Sequence, residues 1–202
     1  MTIVTRVNAS RPDAAKIDDA ALILKNGGLV AFPTETVYGL GANLLDKNAV
    51  RRLYKIKARP LNKPLTVHIS DVKTVREMAG RIPAKAARLM KKYWPGPLTL
   101  VLKDKRGGKT GFRMPDNKIA LMLIKATGVP VVAPSANISG NKPPASAKEV
   151  LCDLDGRIDV LIDGGKTSIG KESTVVDVSG RKPVVLREGA VPGRKIIEVA
   201  NG

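Results

Sequence analysis

Apolar residues follow two spacings along this chain, and the two spacings alternate from one end to the other. Over residues 17–24 they recur every three or four positions, as on the inner face of a helix, and two glycines follow. Residues 29–32 are an unbroken apolar run, typical of a buried strand, which stops at Pro33 because proline has no N–H to give to a sheet. This alternation of helix and strand signals predicts an α/β fold with a largely mixed or parallel sheet.

The remaining elements are predicted from capping residues and short apolar runs. Helix starts are expected at Asp46, Asp116 and Ser146, whose side chains can accept hydrogen bonds from a first helical turn. The helices after the two aspartates should turn these side chains inward: Val50, Leu53 and Tyr54, then Ile119, Met122, Leu123 and Ala126. Further strands are expected at residues 65–70, 98–102, 129–133, 159–162, 173–178 and 183–187. The basic, glycine-rich residues 103–110 are expected to form a loop.

The composition suits one domain with a strong preference for anions. We expect residues 1–202 to form a single domain, because the chain shows neither a repeat nor a linker. Lysine and arginine outnumber aspartate and glutamate by 35 − 18 = 17. Nucleotide phosphates, RNA and acidic membranes all remain open as partners, and so does a basic surface without a function. Aromatic residues, at 3%, are too sparse to favour single-stranded nucleic acid.

Several protein classes are excluded at this stage. The single cysteine, Cys152, allows neither an internal disulfide framework nor a zinc cluster. No apolar run approaches the roughly 20 residues of a membrane span, and residues 1–15 carry no hydrophobic signal core. We therefore expect a soluble, cytoplasmic protein that does not enter a membrane.

Two strings resemble a phosphate-binding P-loop but fail its spacing. They are Gly107-Gly108-Lys109-Thr110 and Gly164-Gly165-Lys166-Thr167. A P-loop needs a glycine five positions before its final glycine, and Lys103 and Val160 occupy those positions here. Neither string opens a clear helix. Any nucleotide site must therefore be built in another way.

Polar residues directly after the apolar run at 29–32 form the first candidate site. Residues 33–41 contain hydroxyl groups, a carboxylate, a phenol and two glycines. Small polar groups beyond the end of a strand are a common way for an α/β sheet to build a ligand site.

Lys57 and Arg59 form a second candidate. Lys57 lies seven residues after Val50 and so falls on the inner face of its helix, and Arg59 follows where the helix breaks before Pro60. A lysine and an arginine converging at a pocket rim suit phosphate. The alternative is an ordinary basic helix C-terminus, which the helix dipole favours.

His68, the only histidine, shares one face of its predicted strand with Thr66 and Ser70. That face either lines a cavity or meets water, and a metal site is excluded because the sequence offers no companion ligands.

Ser135 and Asn137 lie in a small-residue loop after a strand, where backbone N–H groups can approach an anion. The alternative is a plain turn.

The last two predicted strands offer a further pair. As a hairpin they would carry Ser173 and Arg187 toward one pocket, whereas the alternative is ordinary sheet with polar surface residues. Arg113, just before a predicted helix, is another possible anion clamp.

Eight segments in a fixed order identify a family where no single one does. They are Pro-Thr-Glu-Thr-Val-Tyr-Gly-Leu, Lys-x-Arg-Pro, Val-His-Ile, Trp-Pro-Gly-Pro-Leu-Thr, Arg-Met-Pro, Ser-Ala-Asn-x-Ser-Gly, Ser-Thr-Val-Val-Asp and Leu-Arg-x-Gly. With them the chain resembles the YrdC/TsaC family from about residue 15 to 192. Members make threonylcarbamoyl-adenylate from threonine, bicarbonate and ATP.

The resemblance implies a twisted mixed sheet with helices on its faces and a large basic concave site. It implies a magnesium-dependent reaction in which the carbamate of threonine attacks the α-phosphorus of ATP and expels pyrophosphate, with no covalent nucleophile from the protein. By motif, Thr34, His68, Arg113 and Ser173 would bind threonine. Lys57, Arg59, Ser135, Asn137 and Arg187 would bind ATP. The product would pass to the threonylcarbamoyl transferase that modifies certain transfer RNAs.

This chain departs from the family pattern at two places. Lys109 stands four residues before Arg113, where the family usually has threonine, and Thr110 is one residue closer. Ala145-Ser146 replaces an expected proline-threonine pair. The chain also ends soon after the Leu-Arg-x-Gly segment, so it resembles the single-domain members.

Two other functions remain open. The charge of +17 also suits a module of the same fold that binds double-stranded RNA or transfer RNA through the backbone. A carbamoyl-transfer domain is a third possibility, because related domains occur in hydrogenase-maturation proteins. It is disfavoured because the chain has no zinc-finger or acylphosphatase-like segment.

Overall fold

Strands and helices alternate along the chain, as the two spacings of apolar residues predict. The computed structural model describes residues 1–202. Its strands are β1 (Ile3–Arg6), β2 (Val30–Phe32), β3 (Gly39–Asn43), β4 (Thr66–His68), β5 (Leu98–Lys103), β6 (Lys109–Arg113), β7 (Val131–Val132), β8 (Val160–Asp163), β9 (Thr174–Asp177) and β10 (Val184–Arg187). Its helices are α1 (Ala14–Lys25), α2 (Lys47–Ile56), α3 (Val72–Ala79), α4 (Ala84–Tyr93), α5 (Lys118–Thr127), α6 (Ala147–Leu154) and α7 (Gly193–Asn201).

All ten strands belong to one mixed sheet in the order β1-β8-β2-β3-β7-β4-β6-β5-β9-β10. Strands β1, β8 and β2 are parallel, and β3 returns antiparallel to β2. The loop between β2 and β3, residues 33–38, therefore lies near the middle of the sheet. Farther along, β4 pairs parallel with β6, and β9 pairs parallel with β5 and antiparallel with β10. A mixed sheet with helices on its faces confirms the predicted fold class.

Two hydrophobic clusters cover the two faces of the sheet. Strand β2 shows the division, because Val30 and Phe32 join the 15-residue cluster under α1 and α5. Ala31, between them, joins the 30-residue cluster under the other helices. Successive strand residues point to opposite faces, so a strand buried on both faces reads as a continuous apolar run. The longest helix, α1, has 12 residues, and no helix combines the length and apolar character of a membrane span.

Most elements expected from the sequence are present. Helix α1 buries four side chains, Ile17, Ala20, Ala21 and Leu24, as its spacing predicts. Asp46 caps α2 by accepting from the N–H groups of Asn48 and Ala49, and Leu53 is buried on its inner face. Ser146 caps α6 through the N–H of Glu149. Val50 and Tyr54 are partly buried, so the inner stripe of α2 is narrower than expected.

Three expectations are wrong in detail. Asn117, not Asp116, caps α5, because its side chain accepts from the N–H of Ala120 while Asp116 stays exposed. Ala126 is exposed, so the inner face of α5 is rotated toward Ile124 and Thr127. The tract at 103–110 is not a plain loop. It is the tip of the β5–β6 hairpin, tied by hydrogen bonds from the N–H groups of Arg106 and Gly108 and the hydroxyl of Thr110 to Asp104.

The position of the α5 cap gives a test of the fold. Replacing Asn117 with Ala should lower the free energy of unfolding by about 1 kcal/mol, because the first turn of α5 loses its side-chain acceptor. The matched variant Asp116→Ala should stay within about 0.5 kcal/mol of the wild type. Urea unfolding measures both. If Asp116→Ala lost more free energy of unfolding than Asn117→Ala, the cap of α5 would be Asp116, as the sequence suggested.

Candidate active site

A cleft of about 560 Å³, including space open to solvent, lies beside the loop at residues 33–38. Seven of the nine predicted site residues line it: Thr34, Arg59, His68, Arg113, Ser135, Ser173 and Arg187. These residues come from segments spread over most of the chain, and the sheet order brings them together. The other two, Lys57 and Asn137, are buried next to the cleft without lining it.

The loop at 33–38 is the floor of this site and is buried throughout, although it is neither helix nor strand. Its backbone is bonded by two other loops. Tyr38 donates its N–H to the carbonyl of Pro144 and accepts from the N–H of Ala136. On the other side, the residues of the 165–170 segment donate to the carbonyls of Glu35 and Thr36. A buried loop needs such partners, because unpaired backbone groups away from water are costly.

A chain of hydroxyl groups leads from this loop to Arg113. The hydroxyl of Thr34 donates to the carbonyl of Val37 at 2.6 Å, so at its 2.9 Å contact with Thr36 it must accept. The Thr36 oxygen in turn accepts from Nη2 of Arg113 at 2.7 Å. Three side chains are thereby held in one orientation.

Arg113 ends β6 and is only 5% exposed, yet it lines the cleft. Its Nη2 lies 2.8 Å from Oε2 of Glu35, which is equally buried. Burial lowers the pKa of Arg113, while the charge of Glu35 opposes that shift. Glu35 was not among the residues predicted from the sequence.

His68 stands beside Arg113 in the β4–β6 register. Burial, and then the nearby charge of Arg113, lower its pKa to about 3, so the imidazole is neutral at physiological pH. Its ring meets Phe32 edge-on at 6.4 Å between centroids. Thr66 also lines the cleft, whereas Ser70 lies in a separate groove, so the polar face of this strand is divided between two surfaces.

The β9–β10 hairpin brings Ser173 and Arg187 to the cleft, as predicted from the sequence. Nη2 of Arg187 donates to the carbonyl of Ser173 at 2.9 Å, and Nη1 lies 2.7 Å from Oε1 of Glu172. The hydroxyl of Ser173 contacts that of Thr99 at 2.9 Å. Glu172 and Thr99, which also line the cleft, were missed from the sequence.

Lys57 points into the protein rather than to the pocket rim. It is 1% exposed, as its helix position predicts, and its Nζ donates to the carbonyls of Ser135 and Asn137. Burial, and then the charge of Arg59, lower its pKa to about 8. Lys57 thus holds the 135–139 loop, whose Ser139 N–H returns a bond to the Lys57 carbonyl at 2.8 Å.

Asn137 is engaged within the same loop. Its Nδ2 donates to the carbonyls of Ile138 and Asn141, and its Oδ1 accepts from the hydroxyl of Ser135 at 2.6 Å. The side chain therefore shapes the loop, while Ser135 stands at the cleft wall.

Arg59 reaches the cleft because the chain turns sharply after α2. Ala58, at φ 46°, occupies the left-handed region that glycine usually fills at a helix end. The N–H groups of Ala58 and Arg59 bond back to the carbonyls of Lys55 and Tyr54, which closes the helix as a Schellman motif. The guanidinium of Arg59 donates to the carbonyls of Lys63 and Pro64.

The cleft lining carries three arginines, Arg59, Arg113 and Arg187, against one carboxylate, Glu172. No group of three or more His, Cys, Asp or Glu side chains could hold a metal ion. The excess of positive charge in the cleft therefore suits an anionic ligand.

Both departures from the family pattern lie outside the cleft lining. Lys109 pairs with Asp177 at 2.8 Å, and the hydroxyl of Thr110 donates to Asp104. Ser146 caps α6, and the Ala145 carbonyl accepts from the N–H of Thr167. The structure gives none of these residues a place in the cleft.

Comparison with known proteins finds similar sequences and structures. The model of the Sua5/YciO/YrdC family, described as "Telomere recombination", matches residues 22–189. Threonylcarbamoyl-AMP synthase of Pyrococcus abyssi is 48% identical over 98% of this chain, and that of Bacillus subtilis is 47% identical over 90%. The crystal structure of Pyrococcus abyssi Sua5 complexed with L-threonine is 46% identical, has a TM-score of 0.94 and covers 98% of this chain.

The match is to part of each of these relatives. It covers 61% of the Pyrococcus abyssi synthase, 55% of the Bacillus subtilis synthase and 61% of the Sua5 crystal chain. The chain thus spans little more than half the length of these relatives.

The neutral state of His68 predicts a specific dependence of stability on pH. The folded-state pKa of about 3 lies below the ordinary 6.5, so below pH 6.5 the unfolded chain takes up a proton that the folded protein does not. The stabilising contribution is complete above pH 6.5 and is lost as the pH falls toward 3. Between pH 7 and pH 5 the wild type should lose about 2 kcal/mol more than His68→Gln. Urea unfolding at both pH values measures the difference, and equal losses would show that His68 is protonated in the fold.

Proposed function

Because the chain belongs to the Sua5/YciO/YrdC family, we propose that it acts as a threonylcarbamoyl-AMP synthase. This nucleotidyltransferase makes L-threonylcarbamoyladenylate and pyrophosphate from L-threonine, bicarbonate and ATP. The observation that carries the proposal is the cleft itself, in which three arginines and a row of hydroxyl groups converge. The names of the relatives support it, as does the crystal structure of Sua5 with L-threonine.

The reaction needs two anions to approach one another. Bicarbonate supplies carbon dioxide by losing hydroxide. The neutral threonine amine adds to the carbon of carbon dioxide and releases a proton, which combines with that hydroxide to give water, and a carbamate is formed. A carbamate oxygen then bonds to the α-phosphorus of ATP, and the bond from that phosphorus to the bridging oxygen breaks, releasing pyrophosphate. Fixed cations reduce the repulsion and align the attack, so positioning and electrostatics supply the catalysis.

The cleft residues divide between the two substrates in this proposal. Thr34, His68, Arg113 and Ser173 surround threonine, and Arg113 binds its carboxylate. Lys57, Arg59, Ser135, Asn137 and Arg187 form the ATP side. The bonds of Lys57 and Asn137 indicate that these two act by shaping the 135–139 loop, whereas Arg59 and Arg187 stand at the cleft.

Magnesium enters this proposal as part of the substrate. The carboxylates of Glu172, in the cleft lining, and of Glu35 each lie beside an arginine, so they make a poor resident cage for a divalent cation. Magnesium commonly binds substrate phosphates and water with few protein ligands. It would therefore arrive with ATP and neutralise phosphate charge.

The biological setting completes the proposal. One continuous sheet links residues 3–187, which supports a single domain over residues 1–202. The adenylate would be consumed in the cytoplasm by a transferase that modifies transfer RNA. The charge of +17 also favours direct binding of double-stranded RNA or transfer RNA by the same chain.

The reaction is tested by pyrophosphate release from magnesium-ATP. Release should require both L-threonine and bicarbonate, and serine should support it less well. No release from folded protein, together with RNA binding that weakens steeply with salt, would replace the synthase by an RNA-binding module of the same fold.

The division of the cleft predicts that two arginine variants raise the KM for different substrates. Arg113→Ala should raise the KM for threonine about 10- to 100-fold, the cost of one charged hydrogen-bonded contact. Arg59→Ala should raise the KM for ATP by a similar factor with a smaller effect on threonine. Steady-state assays with each substrate varied in turn measure both. If only Arg59→Ala raised the KM for threonine, the substrates assigned to the two arginines would have to be exchanged.

A further inference from the structure

The guanidinium of Arg113 has more donors than the protein satisfies. An arginine carries five N–H donors, and within the protein only Nη2 has partners: it donates to the hydroxyl of Thr36 and makes an ion-pair contact with Oε2 of Glu35 at 2.8 Å. Nε is buried without a partner, and Nη1 donates to no protein atom. Since the residue is 95% removed from solvent and lines the cleft, these donors point to a site for an anion.

Glu35 is the charge closest to this guanidinium. Its Oε2 lies 2.8 Å from Nη2, but neither carboxylate oxygen has an aligned hydrogen-bond partner. The side chain is 7% exposed and is absent from the cleft lining, whereas Arg113 lines the cleft. A buried carboxylate so poorly satisfied is costly, and its main interaction is the electrostatic one with Arg113.

The backbone of Glu35 is fixed more firmly than its carboxylate. Its carbonyl accepts from the N–H of Ile169 at 2.9 Å and from the hydroxyl of Ser168 at 3.3 Å. Thr36, next in the chain, holds the same guanidinium nitrogen. Two consecutive residues of one rigid loop therefore hold a single corner of Arg113 and leave its other donors free.

We propose that Glu35 is a positioning residue for the amino acid substrate: its carboxylate holds the guanidinium of Arg113 in place for the substrate carboxylate. The inference rests on the proposed function, because it takes threonine as the ligand of Arg113. Glu35 acts through the arginine and does not touch the substrate.

A simple neutralising role predicts the opposite result. If Glu35 only reduced the positive charge of the site, its removal would strengthen the attraction of Arg113 for a carboxylate. If it positions the arginine, removal frees the guanidinium to turn toward other acceptors, and carboxylate binding weakens. The direction of the change separates the two roles.

The experiment measures binding of L-threonine and of L-threoninol, which lacks the carboxylate, to the full chain by calorimetry. In Glu35→Gln the affinity for L-threonine should fall about tenfold, the worth of one charged hydrogen bond. The affinity for L-threoninol should stay within about twofold of the wild type. A general loss of structure would weaken both ligands together. Unchanged or tighter L-threonine binding by Glu35→Gln would overturn the proposal.

Two further variants guard against a merely structural effect. Glu35→Asp keeps the charge but withdraws it by one methylene, and it should lose part of the L-threonine affinity and none of that for L-threoninol. It replaces Glu35→Gln if the latter does not fold. Asp159→Asn removes the carboxylate of an ion pair with Arg52 outside the cleft, and should lower stability without changing the ratio of the two affinities.

Failure of this inference differs from failure of the proposed function. If the wild type binds neither ligand, the proposed function falls. If the wild type prefers L-threonine and Glu35→Gln keeps the same preference, the function stands and the role of Glu35 is refuted.

Discussion

The cleft depends on the hydrogen bonds that hold the buried loop at residues 33–38. Loops normally stay on the surface, because water satisfies their backbone groups there. This one lies inside, and its backbone is bonded instead by the segments around residues 134–144 and 165–170. Three loops therefore lock one another. The side chains of Thr34 and Thr36 are thereby held in place more firmly than in a surface loop.

The same constraint explains how the cleft keeps its cations in place. Arg113 is held by Thr36 and Glu35, Arg187 by Glu172 and the Ser173 carbonyl, and Arg59 by two carbonyls of its own turn. Each guanidinium is oriented before a ligand arrives, which reduces the reorganisation needed during reaction. Only these three of the 35 lysines and arginines line the cleft. The high net charge of the chain thus says little about the site, whereas the position of three residues says much.

Local rules predicted most of the fold, and long-range contacts account for what they missed. Strand β3, Gly-Leu-Gly-Ala-Asn, has poor strand propensity and forms because β2 and β7 bond it from both sides. Strand β1 and helix α7 were also missed, the latter because it begins at Gly193 without a side-chain cap. The hairpin at 103–113 was hidden by its glycines and charges.

The residues of the candidate site likewise divide into those that local sequence rules predicted and those that depend on long-range contacts. The inward direction of Lys57 followed from helix spacing, but its partners, the Ser135 and Asn137 carbonyls, lie about 80 residues away and carry no local signal. Glu35 was overlooked because a carboxylate in a loop normally faces water. The available signal was indirect, since a buried arginine calls for a counter-charge.

The wide separation along the chain of the residues that build the cleft also matters during synthesis. The segments that enclose the 33–38 loop extend to residue 170, and the cleft is lined in addition by Arg187. A nascent chain therefore contains the 33–38 loop long before it has a complete cleft, because the lining is complete only after Arg187 has been added.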